Sequence, residues 1–251
     1  MKREPLSVVM IARNEEKNLE RAIESVSWAE EICLMDTGST DRTVVIAGEL
    51  GAKVDQIKFE GFGKAKQAAA AMASHDWLFS IDCDEQVSPE LRDSIEKFLM
   101  DTEDYCGAEI SRLTNFCGKW IFHSGWFPEY VLRLFNKRKA GFNDRYVHEG
   151  IRTNGRIRRL DGHLLHYSYP DLRHYLGKVH QYAQLAALQK QPKPLILDFL
   201  SLAFKPPFIF IKKLIIQRGF FDGLDGFWIA SITAYGQFLK YYYVLTSKKT
   251  K

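Results

Sequence analysis

The chain has 251 residues, of which 46% are hydrophobic and 13% aromatic, enough for one large domain or one domain with an appendage. Its formal net charge is +4, but residues 195–251 contain eight Lys or Arg and only three Asp, so the positive excess lies in the tail. This distribution argues against a nucleic-acid-binding face spread over the protein.

The four cysteines show no C-x-x-C pair; they are Cys33, Cys83, Cys106 and Cys117. Reduced thiols are therefore expected rather than disulfide bonds or a zinc site. The first residues, Met-Lys-Arg-Glu-Pro, lead directly into a predicted strand without an apolar segment, so no signal peptide is expected. Both features predict a cytoplasmic protein.

The first hundred residues alternate between strand-like and helix-like patterns. Strands are predicted over residues 6–11, 31–35, 53–57 and 77–82. A helix is predicted after each strand, with Asn14 as the N-cap of the first and Ser88-Pro89 opening the fourth. This alternation predicts an α/β fold with a mostly parallel central sheet and helices on both faces.

The fourth predicted strand ends in three carboxylates within four residues, Asp82-Cys83-Asp84-Glu85. Ligands bind at the carboxyl ends of strands in an open parallel sheet. Acids at positions i and i+2 of a strand end point the same way and can share a hard cation such as Mg²⁺ or Mn²⁺. Taken alone, Asp-x-Asp also occurs in phosphatases and in solvated loops, so those alternatives stay open.

Polar clusters also follow the first and second predicted strands, at Asn14-Glu15-Glu16 and at residues 36–41. Each alone could be a solvated helix start or a capped turn. Gly61-x-Gly63 is not a dinucleotide fingerprint, because the third glycine is missing. The position of the clusters at one edge of one sheet favours a nucleotide-binding site.

Four segments resemble the nucleotide-sugar domain of family 2 inverting glycosyltransferases. They are Val9-Met10-Ile11-Ala12-Arg13-Asn14-Glu15, Asp36-Thr37-Gly38-Ser39-Thr40-Asp41, Gly63-Lys64-Ala65-Lys66-Gln67 and Asp82-Cys83-Asp84-Glu85. The later Val147-His148-Glu149-Gly150 and His163-x-x-His166-x-Ser168-Tyr169 make the chain most similar to lipopolysaccharide inner-core β-1,4-glucosyltransferases, which add glucose to heptose. The resemblance is strong over about residues 6–169 and extends more loosely into the tail.

The resemblance implies a GT-A fold, in which residues 1–170 form the catalytic domain and residues 171–251 a helical, membrane-associating region. Within the catalytic domain, residues 1–100 would bind the nucleotide sugar and residues 101–170 the acceptor. The family also implies UDP-glucose as the donor, Mg²⁺ or Mn²⁺ as the cofactor, and a lipid-linked saccharide as the acceptor.

Matching the family's motifs residue by residue assigns the donor site to Ala12, Arg13, Glu15, Asp36, Lys64, Gln67 and Asp82. In this assignment Asp36 contacts the uracil and Lys64 approaches the diphosphate. Asp84 would bind the metal and His166 would complete its shell. An inverting transfer needs a base near the acceptor hydroxyl, and the resemblance gives that role to Glu149. Asp144 is the second choice of base, and a salt bridge is the alternative role for Glu149.

A loop rich in aromatic residues lies between the predicted strands at residues 108–113 and 131–135. Within it Trp126 and Phe127 could stack on the faces of acceptor sugars, and His148 is assigned to the same acceptor site. The alternative is a hydrophobic plug beneath a long loop, and the sequence leaves both open.

The tail from residue 195 onwards holds 13 of the 33 aromatic residues and no Glu. Charged residues and Pro206-Pro207 are expected to break the apolar run at residues 195–216, so no transmembrane span is predicted. Short apolar helices with Phe and Lys are typical of an interfacial position on an anionic membrane. The prediction is therefore a peripheral protein on the cytoplasmic face of the inner membrane, with an ordinary packing subdomain or dimer contact as the alternative.

Other functions stay open at this point. A transferase of the same fold could use another nucleotide sugar or a polyisoprenyl-phosphate acceptor, and a non-catalytic sugar-binding membrane module would share the fold. An Asp-nucleophile phosphatase is disfavoured, because its acid pair would follow the first strand rather than the fourth.

Overall fold

The computed structural model describes residues 3–143, 150–191 and 194–247. The chain forms two compact units, Met1–Arg112 with Glu129–His166, and Leu113–Pro128 with Tyr167–Lys251. The domain limits predicted at residues 100 and 170 stay predictions.

The first unit contains a parallel four-stranded arrangement. Its strands are β1 (Leu6–Ala12), β2 (Glu31–Asp36), β3 (Lys53–Gln56) and β4 (Trp77–Ser80). They lie in the order β3–β2–β1–β4, and each neighbouring pair is parallel. β1 has neighbours on both sides and is almost entirely apolar and buried, as expected of a central strand in a covered parallel sheet.

Helices cover both faces of this sheet, as predicted. They are α1 (Leu19–Glu24), α2 (Thr43–Glu49), α3 (Phe62–Met72) and α4 (Pro89–Phe98). Successive side chains of β1 point to opposite faces. Met10 therefore packs in a core with Leu19 of α1 and Leu91 of α4, whereas Val9 packs in a second core with Ala69 of α3. The predicted α/β fold is confirmed.

The start of α4 agrees with the sequence prediction, and the start of α1 does not. Ser88 Oγ accepts the Leu91 N–H at 3.2 Å, with Pro89 as the first helical residue. Asn14, however, is not an N-cap, because α1 begins only at Leu19. Asn14 has φ 58°, in the left-handed region that Asn tolerates, and its Oδ1 accepts the Thr40 N–H at 2.8 Å.

The later strands are β5 (Glu85–Val87), β6 (Gly107–Phe116), β7 (Lys119–Trp120), β8 (Glu129–Asn136), β9 (Gly141–Phe142), β10 (Ile151–Arg152) and β11 (Ile157–Tyr169). All of these except β9 and β10 extend the sheet. By residue range, β6 and β11 run from the first unit into the second, and β7 belongs to the second unit. β8 runs antiparallel to both β4 and β6, and β11 runs antiparallel to β5. β9 and β10 form a separate two-stranded sheet.

The second unit is mainly helical. Its helices are α5 (Leu172–Leu188), α6 (Leu195–Ile211) and α7 (Leu224–Ser247), with a π-helical segment at Lys212–Ile216 and a 3₁₀ turn at Gly219–Asp222. α7 packs against both α5 and α6. In the described part of the chain, no helix has the length and apolar character needed to cross a membrane.

The expectation that Pro206-Pro207 would interrupt the apolar segment at residues 195–216 is wrong for the helix, because both prolines lie inside α6. Each removes one backbone N–H, and an interior proline costs roughly 3 kcal/mol in a helix. The packing of α6 along α7 outweighs this local preference.

Glu31, at the start of β2, links three segments of the first unit. Its carboxylate accepts hydrogen bonds from Ser7 Oγ at 2.6 Å and from the Ser74 N–H and Oγ, both at 2.8 Å. Burial opposes ionisation of the group, but these hydrogen bonds and the charge of Lys53 lower its pKa to about 2.

We expect Glu31→Gln to lower the free energy of unfolding by about 1–3 kcal/mol at neutral pH, because a neutral amide accepts these hydrogen bonds less strongly. The folded-state pKa lies below the unfolded one, so the stabilisation is complete above pH 4.5 and is lost as the pH falls towards 2. Urea denaturation at a series of pH values measures the difference, with the exposed Glu49→Gln as the control. A difference that stays constant down to about pH 3 would contradict this account.

Candidate active site

A cavity of about 440 Å³ opens at the carboxyl ends of β1, β2 and β4. Its lining residues come from the ends of β1, β2 and β4, the segment before α3 and α3 itself: Ile11, Ala12, Arg13, Glu15, Thr37, Phe59, Phe62, Lys66, Asp82, Cys83 and Asp84. A cavity of this size and position is typical of ligand sites in parallel sheets. The structure therefore brings together five of the predicted site residues, namely Ala12, Arg13, Glu15, Asp82 and Asp84.

Asp36 is buried beneath the turn that follows β2 and is not among the lining residues. Its carboxylate accepts the backbone N–H groups of Gly38 and Ser39, each at 3.1 Å. The turn places Thr37 at the cavity, where its N–H and hydroxyl both donate to the Ala12 carbonyl at 3.0 Å. Asp36 thus holds the turn after β2, and Thr37 ties that turn to the end of β1. The contact of Asp36 with uracil stays a prediction.

Two lysines of α3 have different surroundings. Lys66 lines the cavity, its side chain is 8% exposed, and its Nζ lies 3.0 Å from Asp82 Oδ1. Lys64 is 60% exposed and its Nζ lies 2.8 Å from Glu60 Oε2. Residues two apart in a helix point to nearly opposite sides. Of these two lysines, Lys66 is therefore the one at the cavity, which Arg13 also lines. The sequence reasoning missed Lys66, and the role predicted for Lys64 stays a prediction.

Gln67 lies one residue further along α3 and also stands apart from the lining of this cavity. Its Nε2 donates to the Phe142 carbonyl at 3.0 Å, which ties α3 to β9. Its predicted place near the donor stays a prediction.

Asp82 belongs to a network of opposite charges. Arg133 Nη2 lies 2.6 Å from Asp82 Oδ2 and 2.8 Å from Oε1 of the fully buried Glu85. Glu85 Oε2 in turn accepts the Asp82 N–H at 3.0 Å. Burial opposes ionisation of Asp82, but the charges of Arg133 and Lys66 hold its pKa well below the usual range. Asp82 is therefore an anion at any physiological pH.

Asp84 and His166 lie together, as the assignment to one metal site requires. The pairing of β11 with β5 places His166 opposite Glu85, and His166 Nε2 lies 3.2 Å from Asp84 Oδ2. Neighbouring ligands of an octahedral Mg²⁺ stand roughly 3 Å apart, because each lies about 2.0–2.1 Å from the ion. The pair therefore fits two positions of such a shell.

No group of three or more His, Cys, Asp or Glu is placed to hold a metal ion within residues 3–143, 150–191 and 194–247. Oxygen atoms of a substrate and waters would have to fill the other positions, which is the usual arrangement for Mg²⁺ bound with phosphates. The donor set of one carboxylate and one imidazole is compatible with Mg²⁺ or Mn²⁺ on these terms.

A second cavity, of about 430 Å³, shares Lys66 and Asp82 with the first. Its other lining residues are Arg112, Glu129, Val131, Leu132, Arg133, Phe142, Gly150 and Ile151. Gly150 directly follows His148 and Glu149 in the chain, and both of these lie outside the described residues. Their roles as acceptor contact and base stay predictions.

Trp126 and Phe127 belong to the second unit. The Trp126 ring packs against Phe116, Tyr169 and Tyr175, at centroid distances of 5.8, 5.4 and 5.8 Å. The Phe127 ring lies 5.6 Å from that of Phe122. These contacts match the hydrophobic plug, and acceptor binding by the two residues stays a prediction.

Residues 7–160 match the sequence family described as Glycosyl transferase family 2. The chain belongs to this family. An uncharacterized glycosyltransferase of Rickettsia typhi is 33% identical to it over 94% of this chain and 85% of that protein. LpsC, a lipopolysaccharide core biosynthesis glycosyltransferase of Rhizobium meliloti, is 31% identical over 89% of this chain and 85% of that protein.

A family 2 assignment confirms the predicted resemblance, the GT-A fold and the glycosyltransferase class of enzyme. Among solved structures, the chain is similar to glucosyl-3-phosphoglycerate synthase from Mycobacterium tuberculosis, crystallised in complex with Mn²⁺ and UDP-glucose. The two sequences are 27% identical over the matched residues. The match covers 46% of this chain and 44% of the synthase chain, with a TM-score of 0.38.

We expect Glu85→Ala to lower the free energy of unfolding by about 3–5 kcal/mol, because it leaves the buried charge of Arg133 under-compensated. The matched control is Asp104→Ala, since Asp104 also pairs with an arginine, Arg156, but its side chain is 76% exposed. Its loss is expected to stay within about 1 kcal/mol. Chemical denaturation compares the two, and equal losses would show that the buried network does not stabilise the fold.

Proposed function

We propose that the protein is a metal-dependent inverting glycosyltransferase that moves glucose from UDP-glucose to a heptose of the lipopolysaccharide inner core. The observation that carries this proposal is the similarity to LpsC, which spans most of both chains and is named for lipopolysaccharide core biosynthesis. The two adjoining cavities of the first unit support it, since a transferase must hold a donor and an acceptor side by side.

The first cavity would hold the nucleotide sugar. Ala12, Arg13 and Glu15 line its β1 edge, and Thr37 lines it beside β2, where the nucleotide is proposed to lie. Lys66 would place its ammonium group near the diphosphate, as a positive charge fixed before the substrate arrives. Asp36 is still proposed to contact the uracil and Gln67 to lie near the donor. Lys64 and Lys66 are the two candidates for the diphosphate contact, and the buried position of Lys66 at the cavity favours Lys66.

Asp82 would accept hydrogen bonds from hydroxyl groups of the donor. Its anionic state is secured by Lys66 and Arg133, and Glu85 fixes its position through the backbone N–H. Asp84 and His166 would hold Mg²⁺ or Mn²⁺, which when bound stabilises the negative charge of the departing diphosphate.

The second cavity would hold the acceptor. Glu149, directly before the lining residue Gly150, is proposed to take the proton from the attacking hydroxyl, a role worth roughly 10²–10⁴-fold in rate. His148, Trp126 and Phe127 are proposed to contact acceptor sugars. The acceptor is a lipid-linked saccharide, so the enzyme is proposed to work at an anionic membrane surface on the cytoplasmic side of the inner membrane.

The two lysines of α3 provide a matched pair of variants. We expect Lys66→Met to lower kcat/KM for UDP-glucose by about 10²-fold, because it removes the buried cation beside Asp82. Lys64→Met should change kcat/KM less than about threefold, since Lys64 is exposed and pairs with Glu60. A larger loss of kcat/KM in Lys64→Met than in Lys66→Met would assign the diphosphate contact to Lys64 instead.

The function is tested with radiolabelled UDP-glucose and a heptose-terminated, lipid-linked acceptor. We expect transfer that stops on chelation and resumes with Mg²⁺ or Mn²⁺. Asp84→Ala should lose metal-dependent UDP binding and transfer together, since it removes the carboxylate beside His166. Glu149→Gln should keep UDP binding, measured by calorimetry, but lose roughly 10²–10⁴-fold in transfer rate.

Other nucleotide sugars and a polyisoprenyl-phosphate acceptor serve as controls in the same assay. Transfer to either of these, with none to heptose, would assign the enzyme to a different substrate. Near-normal turnover in Glu149→Gln would remove Glu149 from the role of base. Full activity under chelation would refute the metal site.

A further inference from the structure

One face of α6 exposes a continuous row of large apolar side chains. They recur every three or four residues along α6 and into the π-helical segment, and we name them the α6 stripe: Ile196, Leu200, Phe204, Phe208, Ile211 and Ile215. Their exposed fractions run from 46% to 67%. A row with this spacing lies on one helix face, and proteins that stay monomeric in water rarely expose so large an apolar patch.

More exposed apolar residues follow the α6 stripe in the chain. They form the 220–228 cluster, which consists of Phe220, Phe221, Leu224, Phe227 and Trp228. Most of these are aromatic, and Trp is a residue type that favours the boundary between lipid headgroups and acyl chains. The apolar surface of the second unit is therefore larger than one helix face.

The acidic side chains of residues 195–247 are all engaged within the second unit. Asp198 is buried and forms an ion pair with Lys190. Asp222 accepts the Ser124 hydroxyl at 2.9 Å and lies 3.1 Å from His123 Nδ1.

The third acid, Asp225, pairs with Lys119 at 2.7 Å, and the segment contains no Glu. Lys205 and Arg218 are exposed, and Lys212 is half-buried. The charge that this segment presents to solvent is therefore positive.

We infer that the α6 stripe lies in the headgroup region of an anionic lipid bilayer, with α6 parallel to the membrane plane. An apolar helix face accompanied by Lys and Arg is the combination that binds such a surface. A second copy of the chain is a less suitable partner for the α6 stripe. Two such faces would bring like positive charges together, and the acids of residues 195–247 are already engaged with other side chains.

This inference names the surface by which the proposed membrane location is reached, and it does not depend on the donor or the metal. The test is flotation of the full-length protein with vesicles of phosphatidylcholine, alone or in equal parts with phosphatidylglycerol. We expect binding to the anionic vesicles that is at least about tenfold tighter and that weakens with salt.

Phe204→Ser with Phe208→Ser should weaken binding to anionic vesicles at least about tenfold, because both rings leave the lipid boundary. The matched control is Val45→Ser with Met100→Ser, two residues of the first unit that are 51% and 52% exposed, and it should bind like the parent. Arg218→Gln should weaken binding to anionic vesicles alone, by about fivefold. Circular dichroism checks that each variant folds.

Unchanged flotation of the double Phe variant would overturn the inference. So would light scattering that shows a dimer in the parent and a monomer in this variant, with no vesicle binding by either, since the stripe would then join two copies. UDP binding, measured by calorimetry on the same variants, distinguishes failure of the membrane inference from failure of the proposed function. Variants that leave the vesicles but still bind UDP support the inference and leave the function standing, whereas vesicle binding without any sugar transfer would refute the function alone.

Discussion

The site depends on the group of charges around Asp82. Lys66 comes from α3, Asp82 follows β4, Glu85 begins β5, and Arg133 lies in β8, so the network joins the parallel and antiparallel parts of the first unit. Removing such charges from water costs several kcal/mol per ion, and only close pairing with good hydrogen bonds offsets this. Two cations and two anions within hydrogen-bonding distance provide that pairing.

The same network arranges the site before any substrate binds. Charged groups that need not move when the substrate arrives are the most effective at stabilising charge that develops during a reaction. Lys66 and Asp82 border both cavities, so a shift of either residue would change the two cavities together. The stability of the fold and the geometry of the site are therefore linked through one set of contacts.

The sheet, the helices and the edge that carries the site could all be predicted from the sequence, because they follow from local patterns. Ser88-Pro89 is an example, since the cap acts within one turn of α4. Asn14 shows the limit: its positive φ is held by the contact with Thr40, 26 residues away, which no local rule contains. The place of Lys66 at the cavity shows a related limit, because Lys64 and Lys66 lie in the same motif and only the direction of α3 separates their surroundings.

The tail shows the same limit on a larger scale. In the sequence, Asp198 and the lysines count as separate charges that interrupt the apolar run. In the structure, Lys190, which lies in the connection between α5 and α6, neutralises the charge of Asp198. Pro206-Pro207 were expected to end a helix, yet the packing of α6 against α7 keeps it continuous. Only this continuity brings the exposed apolar residues into one row, so the surface exists because tertiary packing overrides a local preference.

Asp82 and Asp84 are two residues apart and have different surroundings, which separates their proposed roles. Both oxygens of Asp82 already face cations, Oδ1 towards Lys66 and Oδ2 towards Arg133. A divalent cation at Asp82 would have to displace one of these charges or lie beside it, and like charges at that distance repel. Asp84 has an imidazole beside it instead, and a neutral imidazole is itself a metal ligand. The pairing of β11 with β5 brings His166 to Asp84 and therefore favours Asp84 over Asp82 for the proposed metal-binding role.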